Sequence, residues 1–355
     1  MKLLPKLLKI FGIAIGSIFL LLAIGGGIYL YKCTHYWQSD YKKTIQAGFT
    51  QKQVTLADGS VINYAAGPGH GKALLLIHGQ TGAWEDYLTV LPQLSKHWHV
   101  FAVDCYGHGK SSHDPSKYYL DVNGDDLIRF INNVIQEPTV VSGHSSGGLI
   151  AAYIAAHGGH LVVGAVLEDP PVFSAEKGNF EKTFAYLDTY KTMHDYLASD
   201  KSESWEAYYL RHCLWGRLYL PKAMNGLANY AQQYRKKHPG EPVQFFFLPE
   251  SINATCLYLP EYDLRFGDHF YDYSWHRGID HATLLSEINV PTIFLHAKAA
   301  YTEDGVLLAA SSNEQARRAV SLMKNAHLIE LSSEHDIHRF HPDVFIAAVN
   351  TLLNP

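Results

Sequence analysis

Between two apolar segments of the chain lies a pentapeptide that leaves few folds open. Thr139 to Ser142 reads as a short buried strand, Gly143-His144-Ser145-Ser146-Gly147 follows at once, and a helix begins near Gly148 and runs to His157. A chain that passes from strand to helix in so few residues must bend sharply at Ser145. Small flanking residues tolerate that strain, and the bend lifts the serine hydroxyl clear of the backbone. Gly-x-Ser-x-Gly in a strand-turn-helix setting therefore marks Ser145 as a candidate nucleophile, with an ordinary glycine-rich turn as the plain alternative.

The surrounding sequence repeats the same alternation. Short apolar runs at Ala73 to Ile77, His99 to Val103, Val162 to Leu167, Thr292 to His296 and His327 to Leu331 are expected to be strands. Helix-length segments near Trp84 to Lys96, Val122 to Ile135, Asn313 to Met323 and Pro342 to Leu353 separate them. This is the pattern of a mostly parallel sheet with helices on both faces, an α/β fold. Asp58-Gly59 between the alternating runs of Val54 to Tyr64 adds a hairpin. Between Pro170-Pro171 and Val290-Pro291 the pattern changes to helix-like segments rich in Tyr, Phe and Trp, consistent with an inserted helical cap over an apolar cleft. A chain of 355 residues, 47% hydrophobic, can bury a full core and such a subdomain, which excludes wholesale disorder. The expected organisation is a first core part at 51–170, a cap at 171–285 and a second core part at 286–355.

Residues 1–31 read as a membrane anchor or a signal sequence. Ile10 to Tyr31 is uncharged and long enough, at ~1.5 Å per residue, to cross the ~30 Å apolar core of a bilayer. Lys2, Lys6 and Lys9 precede it and favour a cytoplasmic N-terminus, so the rest of the chain is expected outside the cytoplasm. A signal peptide cleaved near Ala23-Ile24-Gly25 would leave the protein secreted instead. Residues 32–50 read as a polar and aromatic linker. The net charge of −5 and a single small basic cluster, Arg235 to Lys237, argue against a nucleic-acid partner. The four cysteines form no dense framework, and a Cys213–Cys256 bridge stays open.

A developing oxyanion needs two fixed donors. The Ser146 N–H, directly after the nucleophile, supplies one. His78-Gly79-Gln80-Thr81 ends an earlier strand, so the N–H of Gln80, or alternatively Thr81, supplies the other, with His78 read as a turn-stabilising residue. His78-Gly79, the block Asp104-Cys105-Tyr106-Gly107-His108-Gly109-Lys110-Ser111 and the Ser145 turn together resemble the α/β-hydrolase superfamily, and specifically its capped serine hydrolases. The resemblance covers about Lys72 to Asp169 and Ser286 to Asn354. It implies a general base after the last strand. His335 matches that position, although Glu334 stands where relatives carry Gly; His338 is the alternative. The His335, His338, His341 spacing also suits a metal, but no second ligand cluster supports one, and neither a metal nor an organic cofactor is implied.

In the common pattern of the family the acid follows the strand Thr292 to His296, where this chain has Ala300. Two replacements are open: Asp169, at the Pro-bounded end of the strand Val162 to Leu167, and Asp304, or its neighbour Glu303, on the Ala300 loop. Asp169 leads because the Pro-bounded strand end fixes a carboxylate better than a loop does, with capping of the following turn as its plain alternative. Asp104 resembles a structural residue. The resemblance thus implies hydrolysis through an acyl-enzyme, and the aromatic-rich insert beside a membrane segment points to a small or lipid-like ester as the substrate. Carbon-carbon or lactone hydrolysis by the same residues, or a membrane-tethered binding protein that has lost activity, are the rival readings.

Overall fold

A computed structural model of the protein describes residues 4–353, so the outermost residues of the N-terminal segment and of the second core part lie outside the described residues. Eight strands form one sheet: β1 (Thr50–Thr55), β2 (Val61–Ala66), β3 (Lys72–Ile77), β4 (Trp98–Val103), β5 (Thr139–His144), β6 (Val162–Glu168), β7 (Thr292–Ala297) and β8 (Ala326–Leu331). Their order is β1-β2-β4-β3-β5-β6-β7-β8. β2 runs antiparallel to both neighbours, and every pair from β4 through β8 is parallel.

Alternation within the strands fills both faces. Leu75 and Ile77 of β3 join Val103, Phe130, Leu149 and Ile154 on one side. Leu74 and Leu76 join Val100, Trp84, Leu91 and Phe345 on the other. Successive side chains of a strand point to opposite faces, so a central strand clad in helices on both sides must be apolar throughout. The hairpin forms with Val54 opposite Ile62. β1 begins earlier than its apolar pattern because Thr50 to Gln53 are exposed on the sheet edge, where polar residues discourage pairing with other chains.

Two segments differ from their sequence reading. The helix expected over Trp84 to Lys96 is a 3₁₀ turn, Trp84–Thr89, followed by a single helical turn, Leu91–Leu94. Pro92 cannot donate to a preceding turn and is accommodated only near a helix start, so one continuous helix is broken there. The segment 32–50 is helical for most of its length. Helix α1 spans Leu4–His35 and α2 spans Gln38–Gln46. Cys33, Thr44 and Phe49 are buried, the Thr44 hydroxyl donates to the Leu88 carbonyl at 3.4 Å, and Tyr41 packs on Trp84. Only a few spaced side chains anchor this docking, too few to register as an amphipathic stripe.

Between β6 and β7 the chain contributes helices and turns. Trp205–His212 packs on Met224–Lys237 around a small apolar cluster that includes Cys213, Leu227 and Phe245. Phe266, Phe270 and Trp275 tie the segment to the core beneath. All four cysteines are free, so the Cys213–Cys256 bridge is not formed; Cys213 Sγ instead accepts from the Gly216 N–H at 3.3 Å. Within α1, the most apolar 18-residue window of the stretch Ile13–His35 has a mean hydropathy of 2.2, and none of that window is buried. Among the described residues it is the one helix long and apolar enough to cross a membrane.

Candidate active site

Ser145 sits between the end of β5 and the helix Ser146–His157 with φ 54° and ψ −121°, a conformation that L-residues adopt only under constraint. The constraint is visible in its neighbours. The Ser145 N–H donates to the Glu168 carbonyl at 2.9 Å, and its own carbonyl accepts from the Gly148 N–H at 2.9 Å. A Cβ on Gly143 would lie 2.0 Å from the Gly147 carbonyl oxygen. One on Gly147 would lie 2.3 Å from the His78 oxygen and 2.4 Å from that of Ile77. The glycines at either end of the pentapeptide are therefore the only residues that let the turn close against β3.

Gly79 backs directly onto the serine, since a Cβ there would be 3.0 Å from Ser145 Cβ and 2.8 Å from His144 Nδ1. The loop is held by buried His78, whose Nε2 accepts from the Cys105 N–H at 2.9 Å and whose Nδ1 lies 2.6 Å from the Gly79 carbonyl oxygen. Burial pulls His78 below the usual imidazole range, as expected of a neutral turn residue. The Thr81 N–H donates to His108 Nε2 at 3.2 Å and is thereby occupied. Ser146 begins its helix, so its N–H lies among those a helix leaves without an internal partner, at the positive end of the helix dipole. The Gln80 side chain points away, its Nε2 donating to the Tyr262 hydroxyl at 2.7 Å. Asp104 accepts from Trp84 N–H at 2.8 Å, Asn63 Nδ2 at 2.7 Å and Lys110 N–H at 3.0 Å, a purely structural set of bonds.

One residue beyond β6, Asp169 is held at φ 42°, with its N–H bonded to Leu295 at 2.8 Å. Its carboxylate is almost wholly buried and accepts from His335 Nδ1 at 2.7 Å through Oδ2. Oδ1 accepts from His296 Nδ1 at 3.1 Å and from the Ala297 N–H at 3.2 Å. Burial opposes ionisation of Asp169, but the bonds and charges of the two imidazoles outweigh it and hold the carboxyl below its usual range. Burial likewise opposes a charged His335, and the hydrogen bond and negative charge of Asp169 outweigh it, pushing His335 up to about 9. The His335 ring is stacked obliquely beside His144, with centroids 4.5 Å apart, and 42% of its side chain is open to solvent. Asp304 and Glu303, by contrast, are exposed on their loop, and among the described residues neither bonds to His335.

His338 is occupied elsewhere. Glu168, fully buried, accepts from its N–H at 2.7 Å and lies 2.8 Å from its Nδ1. His335 and His338 thus each belong to a separate carboxylate, and no group of three or more metal-ligating side chains occurs among the described residues. Beside the turn a cavity of about 390 Å³ is lined by Gly79, Gln80 and His144, by Asp336, by Tyr36 from the turn between α1 and α2, and by Tyr258 from the cap. Its wall includes Glu85 and Asp86, which burial pushes up to about 8 and about 7. Two participants, Glu168 and His296, carry no motif. In the sequence His296 marks only the strand end after which the usual acid is missing.

The sheet order, the strained serine and the Asp169–His335 pair belong together in one class, and comparison with known proteins gives it a name. The chain belongs to the alpha/beta hydrolase family, whose model matches residues 74–348. It is 32% identical over 105 residues to a serine hydrolase-like protein of Danio rerio, covering 29% of this chain and 32% of that protein. It is 34% identical over 109 residues to lipase LipV of Mycobacterium tuberculosis, covering 30% and 40%. The chain thus matches about a third of the length of such relatives. Among solved structures, a membrane phospholipase A superposes with a TM-score of 0.60 at 19% identity over 96% of this chain and 99% of that one. An esterase from a Rhodococcus species superposes with 0.56 at 22% identity over 85% and 98%. At these identities the likeness is one of fold.

Proposed function

We propose that the protein is a membrane-anchored serine hydrolase that cleaves an ester-type bond of a small or lipid-like substrate through an acyl-enzyme. The observation that carries this reading is the 2.7 Å bond from His335 Nδ1 to a buried Asp169, on the strand end whose neighbour Glu168 also binds the strained Ser145 backbone. Asp169 holds the His335 proton on Nδ1, which leaves Nε2 free to take the hydroxyl proton of Ser145. Ser145 Oγ then bonds to the acyl carbon, and the carbonyl electron pair moves onto oxygen. The N–H groups of Ser146 and Gln80 stabilise that charge. His335 returns its proton to the departing alcohol, and water, activated by the same imidazole, releases the acid and restores Ser145. The name of the lipase relative supports an ester as the bond cleaved.

The exposed apolar stretch of α1 supports an anchor, and the lysines before it favour a domain on the far side of the membrane from the N-terminus. The test is turnover of short-chain p-nitrophenyl esters by the full-length protein in detergent. Ser145→Ala should abolish it; normal turnover by that variant would sink the proposal.

A further inference from the structure

His296 is the penultimate residue of β7, its side chain fully buried, and both ring nitrogens face oxygen atoms. Nδ1 lies 3.1 Å from Asp169 Oδ1 and Nε2 lies 3.0 Å from Asn313 Oδ1. A neutral imidazole carries one ring proton and donates once, so one of these contacts would then lack a hydrogen. Turning the Asn313 amide does not repair it. Asn313 Oδ1 also accepts from the Ala299 N–H at 2.9 Å, and the turned amide would set its own NH₂ against that donor. Moving a proton onto Asp169 is opposed as well, because its two oxygens already accept from His335, His296 and the Ala297 N–H.

We infer that His296 carries protons on both ring nitrogens and is a buried imidazolium, a positioning residue that fixes Asp169 and balances part of its charge behind His335. The inference rests on the serine-hydrolase reading only for its effect on rate. Burial by itself would strip this proton, and the bonds to Asp169 and Asn313 reverse that, raising His296 above the usual imidazole value. The cation sits on Oδ1 while His335 is held by Oδ2, so His335 is oriented by a carboxylate whose field is already partly offset. It therefore gives up its proton more readily than it would beside an unbalanced Asp169. The other charged or titratable groups facing the pair are Glu330 on β8, itself paired with Arg317 at 3.0 Å, together with Asp336, Glu168 and His144 around His335.

The experiment follows the rate of Ser145 modification by a fluorophosphonate across pH in full-length wild type, His296→Asn and Asn313→Leu. The first variant removes the cation; the second removes the acceptor that keeps His296 doubly protonated. In both, the midpoint of the rising limb should move up by about one pH unit, which is roughly tenfold slower labelling at a fixed pH on that limb. A residue that only supports the fold would change the plateau rate or the stability and leave the midpoint in place. An unchanged midpoint in folded Asn313→Leu overturns the inference. Labelling of no wild-type sample at any pH would instead overturn the serine-hydrolase reading. His296 would then be decided by ¹⁵N-histidine spectra of the wild type: two protonated ring nitrogens near neutral pH uphold the inference, and one unprotonated nitrogen refutes it.

Discussion

Replacement of Asp169 by Asn changes one oxygen into an NH₂ group and little else, so its effect can be worked out from the bonds the carboxylate makes. Two donors, His296 Nδ1 and the Ala297 N–H, converge on Oδ1, and one, His335 Nδ1, reaches Oδ2. The amide oxygen of an Asn will settle toward the two donors, which turns its NH₂ toward His335. To avoid two opposed donors, His335 must carry its proton on Nε2, where it can no longer receive one from Ser145. In a serine hydrolase of different fold, the same loss of tautomer control lowers the rate about 10⁴-fold. With the nucleophile and oxyanion donors intact, a loss of about 10³–10⁴-fold in kcat/KM is expected here, or ~4–5.5 kcal/mol of transition-state stabilisation. The assay is ester turnover at the pH optimum of each protein, with thermal unfolding to show that the variant is folded. Removing the counter-charge of a buried imidazolium also costs stability, limited because His296 can release its proton. A folded variant within tenfold of wild type would refute the assignment of Asp169 as the orienting acid.

Three further expectations follow from the same geometry. Asp304→Ala, on an exposed loop away from His335, should change kcat/KM by less than about twofold, and a loss comparable to that of Asp169→Asn would move the acid to that loop. Gly147→Ala places a methyl group 2.3 Å from the His78 oxygen, so it should both displace the Ser145 turn and destabilise the fold by about 1–3 kcal/mol, read from denaturant unfolding and turnover. Because the neutral form of His335 is the base and Asp169 raises its pKa to about 9, activity should climb with pH through a midpoint above the ordinary imidazole value and toward 9. A plateau already reached below pH 6.5 would contradict that assignment.

The parts of the fold legible in the sequence are those with strong local constraints. β3 to β7 are short apolar runs because both faces of the sheet are covered there, and the Ser145 turn is marked by glycines that nothing larger can replace. The Pro170-Pro171 step marks Asp169 as a fixed strand end, and the residue sits one position beyond β6 at φ 42°. Other features depend on tertiary contacts that leave little local trace. The docking of α2 rests on Thr44, Tyr41 and Phe49, spread among polar residues. His296 reads as an unremarked strand end until Asp169 and Asn313, distant in sequence, close around it. The Glu168 carboxylate similarly gains its meaning from His338, 170 residues further along the chain.

The central claim is that Ser145 is an activated nucleophile. Its most direct measurement is reaction of the full-length protein with a fluorophosphonate, followed by mass spectrometry of the modified peptide. The account predicts a single adduct on Ser145, abolished by His335→Ala and strongly slowed by Asp169→Asn. A folded protein that takes up no label, or takes it on another residue, would contradict it.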